Sequence, residues 1–186
     1  MNVMIFTSSP NLDGLTAACG NAAKAGAIEA GANVVQINLN QQKIGSCQAC
    51  GNGWGTCRNG HECQVQDEFQ ALHASLANMD AFVFVTPVYF GEMSEFAKAF
   101  TDRLRRCEAF RNDKSFLEGK PVLQVAAAGG SGNGLTSCLT SMERLFLAVK
   151  ADKFDLIGIT QKNRGYKLET IKAAAKEMVS SCLRKQ

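Results

Sequence analysis

Four cysteines, Cys47, Cys50, Cys57 and Cys63, crowd one segment in the pattern C-x2-C-x6-C-x5-C. Four thiolates at such spacing can surround one tetrahedral metal ion or a small iron–sulfur cluster. His61, just before Cys63, could replace one thiolate, which would favour zinc. The third reading is free or redox-active thiols in a covering loop. The other four cysteines, Cys19, Cys107, Cys138 and Cys182, fall in periodic stretches and read as small buried apolar residues. Three further segments carry polar or aromatic groups where a ligand could sit. SSPNLDGLT, from Ser8 to Thr16, offers the hydroxyls of Ser8, Ser9 and Thr16, the Asn11 amide and Gly14 ahead of a helix. It lacks the lysine of a Walker loop and suits a tightly held monophosphate. Thr86-Pro87-Val88-Tyr89-Phe90-Gly91 could flank a flat heterocycle with aromatic rings, and Gly129-Gly130-Ser131-Gly132-Asn133-Gly134 lets a ligand approach bare backbone.

The elements that must position these segments alternate from end to end. Val3 to Thr7 reads as a first strand, and helical periodicity runs from about Thr16 to Ala30, stopping at Gly31. Val34 to Leu39 is a second strand. The cysteine segment at 43–66 has neither period, and Asp67 caps a helix reaching about Asn78. The apolar run Ala81 to Val85 reads as a buried parallel strand, and a helix over about Glu95 to Glu108 follows. Val122 to Ala128 is the fourth strand, with a helix over about Leu135 to Leu147 after it. A fifth strand near Phe154 to Thr160 and a last helix over about Leu168 to Leu183 complete the chain. Helices alternating with apolar strands predict one α/β domain over 1–186, a three-layer sandwich with a five-stranded parallel sheet of flavodoxin-like order 2-1-3-4-5. Ligands of such sheets bind beyond the carboxyl ends of the strands near the switch in strand order. That is where all three loops fall.

Composition narrows the classes. The chain has 186 residues, 46% apolar and 20% charged, which excludes disordered and collagen-like chains. No apolar run reaches the length of a membrane helix, and the start MNVMIFTSSP has no basic leader or small-residue cleavage site, so a cytoplasmic protein is expected. The net charge of +3 is not concentrated into a nucleic-acid patch. Lys162, Lys167, Lys172, Lys176, Arg184 and Lys185 read as a solvated helical face. His73, inside a helical pattern, reads as structural. Trp54, the only tryptophan, either stacks over a ligand or anchors the cysteine loop by burial.

SSPNLDGLT, CQACGNGWGTCRNGHECQVQDEF and TPVYFGEMSEFAKAFTDR together resemble the NADPH-dependent FMN reductase family, especially its multicysteine, iron–sulfur-flavoprotein-like branch. The resemblance implies bound FMN, with the phosphate at Ser9, Asn11, Gly14, Leu15 and Thr16. It implies isoalloxazine contacts at Pro87, Val88, Tyr89, Phe90 and Gly91, with Gly129 and Gly130 near the third flavin-contacting segment. The family often has Arg at the place of Asn11 and Asn at that of Leu15, so a weakened hold on the phosphate is expected. The iron–sulfur branch also has a tighter C-x2-C-x2-C start than the one here. A homodimer or homotetramer is implied by resemblance alone.

The leading functional expectation is an FMN-dependent oxidoreductase that takes electrons from NAD(P)H and passes them to a quinone, a flavin or another acceptor. The flavin carries that chemistry and no side-chain acid or base is required. An electron-transfer protein without a small-molecule substrate is the alternative. Its usual acidity fits poorly with a pI of about 8.4, and a cluster on the cysteines would favour it. A flavin-free metal or thiol sensor is the third class.

Overall fold

A computed structural model describes residues 1–111 and 115–184; Lys185 of the basic C-terminal run lies outside them. The strands are β1 (Asn2–Thr7), β2 (Asn33–Asn38), β3 (Ala81–Tyr89), β4 (Glu92–Met93), β5 (Pro121–Ala128) and β6 (Asp152–Thr160). The helices are α1 (Leu15–Glu29), α2 (Phe69–Ser75), α3 (Glu95–Glu108), α4 (Leu135–Ala148) and α5 (Arg164–Leu183). The five long strands pair in parallel in the order β2-β1-β3-β5-β6, the connectivity expected from the sequence. The addition is β4, two residues that fold back antiparallel on the end of β3.

Period-two alternation explains the layering. Val3 and Ile5 of β1, with Val83 and Val85 of β3, point to a core built with α1 and α5. Met4, Phe6, Phe82 and Phe84 point the other way, onto α2, α3 and α4. Both faces of these strands are therefore apolar, as helices on each side demand. On the second face the rings of Phe6, Phe69, Phe84 and Phe100 form a connected set with centroids 5.1–5.7 Å apart. Burying each such ring contributes about 1.5–3 kcal/mol. α3 starts at Ser94, whose hydroxyl accepts from the Ala97 amide, and it carries its apolar stripe inward.

Of the scattered cysteines, Cys19, Cys107 and Cys138 are buried as expected, and burial pushes the thiols of Cys19 and Cys138 up to about 12. Cys182 is only partly buried, because it lies in the last turn of α5. The basic face of α5 is solvated and paired: Lys172 and Lys176 meet Glu29 of α1, and Arg184 meets Glu177.

Candidate functional site

The loops after β1, β3 and β5 lie side by side, because Thr7 pairs with Val85 and Pro87 with Ala127 at the carboxyl ends of their strands. β2 and β3 flank β1 on opposite sides, so the switch in strand order opens between the first two loops. Ser9 and Thr16 are buried in the first loop, while Asn11 is exposed. The Ser9 hydroxyl accepts from the Asn11 amide at 3.1 Å, and Asn11 Oδ1 accepts from the Asp13 amide at 3.2 Å, which folds the loop into two tight turns. Gly14 is the N-cap of α1 and supplies no side-chain cap, so the first-turn amides face the loop as an anion cradle. Leu15 turns its side chain into the α1–α5 core and can serve a ligand only through its backbone.

Under this cradle the structure holds a feature the sequence did not announce. Ser94 donates to the carbonyl and hydroxyl of Ser8, each at 3.0 Å, and the Ser8 hydroxyl meets Thr86 Oγ1 at 3.1 Å. The Ser94 amide donates to Thr86 Oγ1 at 3.1 Å. All three residues are buried. The Ser8 hydroxyl, offered above to a ligand, is instead part of a knot joining β1, β3 and the start of α3.

The second loop is a hairpin. Val88 pairs with Met93 and Tyr89 with Glu92, leaving Phe90 and Gly91 as a two-residue turn with φ of 50° and 85°. Both central residues at positive φ define the type I′ turn that suits the strand twist. Phe90 therefore takes a conformation that disfavours a bulky residue, and its side chain is fully in solvent. Tyr89 is also exposed, Val88 half-buried and Pro87 buried. The turn is pinned from outside: Ser137 donates to the Gly91 carbonyl at 2.8 Å, and Gly134, at φ 83°, comes so close that a Cβ there would meet Gly91 Cα at 2.6 Å. Gly129 and Gly130 are exposed, and a Cβ on either would meet open space. A separate cavity of about 740 Å³ runs along Gly132, Asn133, Thr136, Ser137 and Arg144.

The cysteine segment forms no helix or strand, and its ends are tied together. The Lys43 amide donates to Glu68, the Glu68 amide to the Lys43 carbonyl, and the Gly45 amide to Asp67. Asp67 also accepts from the Phe69 amide at 3.0 Å while Gln70 accepts from the Asp67 amide, a reciprocal pair just ahead of α2, whose N-cap is Glu68 and not the expected Asp67. Burial alone would raise the Asp67 pKa, but hydrogen bonds from Arg103 and the Gly45 and Phe69 amides hold it below the usual range.

Cys47, Cys50, Cys57 and Cys63 all line one narrow pocket, with Arg103 and Arg106 in its wall. They ring it without converging on a point: among the described residues no three His, Cys, Asp or Glu side chains are placed to hold a metal ion. His61 lines a neighbouring cavity of about 340 Å³ with Cys63, His73 and Arg111, and its Nδ1 lies 3.2 Å from the Cys107 carbonyl. It is therefore not placed as a fourth ligand in the cysteine pocket. Trp54 anchors the loop: its ring packs edge-on to Phe110 at 5.3 Å, under the guanidinium of Arg106 at 4.6 Å. His73 is structural, stacked on Phe69 and bound to Glu108 at 2.6 Å. Burial would raise the Glu108 pKa, but His73, the Phe116 amide and Ser115 outweigh it and lower it.

A doubly wound sheet in this strand order, with an amide cradle, an aromatic hairpin and a glycine loop at its switch point, defines a flavodoxin-like protein. Comparison gives the family: the model for NADPH-dependent FMN reductase matches residues 1–151, and the chain belongs to that family. An iron–sulfur flavoprotein of Archaeoglobus fulgidus is 34% identical over 88 residues, 47% of this chain and 42% of that protein. An iron–sulfur flavoprotein of Methanocaldococcus jannaschii is 28% identical over 148 residues, covering 79% and 71%. The chain thus spans less than half the length of the first of these relatives. Among solved structures, an NAD(P)H:quinone oxidoreductase from Methanothermobacter marburgensis superposes with a TM-score of 0.75 at 17% identity, covering 96% of each chain. Among the described residues no helix is long and apolar enough to cross a membrane.

The residues at the strand ends fit the flavin that family implies. The uncapped start of α1 and the open backbone at Gly129 and Gly130 leave room for a phosphate and a flat ring. The cysteine pocket gathers four sulfur donors beside two cationic side chains, but without three of them converging it does not, as folded here, fit a metal ion or cluster.

Proposed function

We propose that the protein is an FMN-dependent oxidoreductase that draws electrons from NAD(P)H and delivers them to a quinone, a flavin or a similar acceptor. The single observation that carries this reading is the uncapped α1 N-terminus beside the Phe90–Gly91 hairpin at the switch point of the sheet. Ser9, Asn11, Gly14 and Thr16, with the Leu15 amide, hold the phosphate. Pro87 to Gly91 line one side of the ring, and Gly129 and Gly130 let its other edge meet backbone. FMN, once bound, supplies the hydride and electron transfer, and the chain supplies position and electrostatics. Phe90 and Tyr89 shield the ring from water and give a planar acceptor an aromatic surface. The knot of Ser8, Thr86 and Ser94 fixes the cradle relative to the hairpin, so phosphate and ring are held in one geometry.

A second reading adds a redox group, an iron–sulfur cluster on Cys47, Cys50, Cys57 and Cys63: the four thiols share one pocket, and their side chains would have to draw together to hold it. With it the chain could also serve as an electron-transfer protein without a small-molecule substrate. An anaerobic visible spectrum of the purified protein, taken before and after NADPH, tests both readings. A two-band flavin spectrum bleached by NADPH is expected; a broad shoulder beneath it that air removes would mark the cluster. A protein that stays colourless after added FMN overturns the flavin reading, and a bleached flavin without the shoulder removes the cluster alone.

A further inference from the structure

Joining two sulfurs asks for one pair rather than a set converging on a point, and one pair in the cysteine segment is held together. Thr56, the residue before Cys57, donates its hydroxyl to the carbonyl of Glu62, the residue before Cys63, at 2.7 Å. Its amide donates to Oε1 of Gln64, the residue after Cys63, at 3.3 Å. Between these ties the Gly60 amide donates to the Thr56 carbonyl at 2.7 Å, so the stretch 56–60 turns back on itself. Cys57 and Cys63 thus flank one closed loop. Both are half-buried, both pack on the core that contains Cys107, and both line the narrow pocket. Burial first, then the sulfurs of Cys63 and Cys57, push the Cys107 thiol up, which marks both as its neighbours.

The three thiols differ in what they face. Cys107 is fully buried, and Cys57 lines only the narrow pocket. Cys63 lines that pocket and also the cavity of about 340 Å³ that holds His61, Gln70 and Phe116, a size that admits a small organic molecule. Its carbonyl accepts from Gln70 Nε2 at 2.9 Å, which ties it to α2. Its sulfur accepts a hydrogen bond from Arg103, a guanidinium 1% exposed whose terminal nitrogens are clamped on Asp67. Burial works against that cation, yet the bonds to Asp67 and Cys63 raise its pKa. Thiol–disulfide exchange runs through negatively charged sulfur, both as attacking group and as leaving group. Arg103 sets a permanent positive charge beside Cys63, the one sulfur of the pair that meets the larger cavity.

We propose that Cys63 and Cys57 are an attacking and a resolving thiol, and that the protein reduces small organic disulfides admitted through the cavity beside His61 and Phe116. The Cys63 sulfur gives its proton to water and attacks one sulfur of the substrate R–S–S–R. A Cys63–S–S–R bond forms, the substrate's own S–S bond breaks, and RS⁻ leaves and takes a proton from water. Cys57 then loses its proton and attacks the Cys63 sulfur. A second RS⁻ leaves as RSH, and a Cys57–Cys63 disulfide remains. Two protein thiols are oxidised by two electrons and one substrate disulfide is reduced to two thiols. A dithiol from solution resets the pair by the same exchange. No electron comes from the flavin, so the activity stands apart from the flavin reading. It uses the thiols as free groups, and a cluster on the same sulfurs would exclude it.

The test uses the full chain, purified anaerobically and assayed for iron and acid-labile sulfide. It is then reduced with dithiothreitol, freed of it, and mixed with hydroxyethyl disulfide. Intact mass, and peptide mapping after alkylation, follow the products. The wild type is expected to release both halves of the substrate as mercaptoethanol and to end with a Cys57–Cys63 bridge. C57S is expected to stop at the mixed disulfide, with one mercaptoethanol held on Cys63. If C57S does not fold, C57A takes its place with the same expected adduct. Cys47 and Cys50, half-buried thiols of the same segment, give the comparison for simple exposure. In the resolving-thiol variant Cys63 is expected to react at least about tenfold faster than either. Equal rates at the three thiols overturn the proposal, as does a wild-type bridge from Cys63 to any other cysteine. Iron and sulfide bound to the purified wild type overturn it too and favour the cluster, whatever the flavin spectrum shows.

Discussion

At the scale of single residues, two side chains sit where packing rules alone would not put them. Phe90 is wholly exposed in a left-handed turn, and that exposure is the argument for its proposed role: a bulky ring is held there at a cost with no packing to repay it. Gln124 is the opposite case. It lies fully buried on β5, paired in register with Phe84 and Leu156, and neither amide atom has a partner. Q124M, similar in volume and free of the desolvated amide, is expected to stabilise the fold by about 1 kcal/mol, read as a higher urea midpoint with an unchanged slope. Glu108 gives a pH dependence. Its pKa is lowered in the folded chain, so its contribution is present above the unfolded carboxylate value of 4.5 and is lost as the pH falls through the folded one. Urea titrations at pH 6.5 and 3.5 should show E108Q losing less stability on acidification than the wild type; an equal loss would mean that this carboxylate does not govern the acid limb.

Elements were legible in the sequence where one period ran unbroken. β1, β3, β5 and α3 follow from apolar runs or a single helical stripe, and α3 starts and ends at the expected residues. β3 extends past the apolar run to Tyr89, and β4 follows, because the turn that makes them a hairpin depends on Phe90 accepting positive φ, against its intrinsic preference. The flavin-type loops were legible as loops. The knot beneath them was not: Ser8, Thr86 and Ser94 meet across separations of 78 and 86 residues, and isolated hydroxyls carry no periodic signal. The contact of Gly134 with the hairpin is of the same kind, and it can be tested at this scale. G134A combines a disfavoured left-handed φ with a Cβ 2.6 Å from Gly91, so it should cost at least about 1–2 kcal/mol and displace the turn. Thermal unfolding of the variant and its affinity for FMN should both fall; a wild-type melting temperature would show that α4 does not support the hairpin.

Over the whole molecule, the strand order followed from alternation and right-handed crossovers, and both the sheet and the superposed fold agree with it. The cysteine segment was legible only as a set of donors. Its placement depends on Arg103 and Arg106, single residues on a helix more than thirty positions away, whose aim depends on how α3 is rotated against the sheet. α3 begins at the Ser94 knot, under the candidate flavin cradle, and one straight run of backbone brings it to Arg103 at the sulfur pocket. At 1.5 Å per residue, the nine steps from Ser94 to Arg103 amount to about 14 Å. The knot under the candidate flavin cradle and the cationic wall of the sulfur pocket are thus joined by a single stiff strut, although the thiols themselves ride on a loop. The distance between those two anchor points is set by helical rise, so a shift of the knot is carried along α3 to the wall of the cysteine pocket.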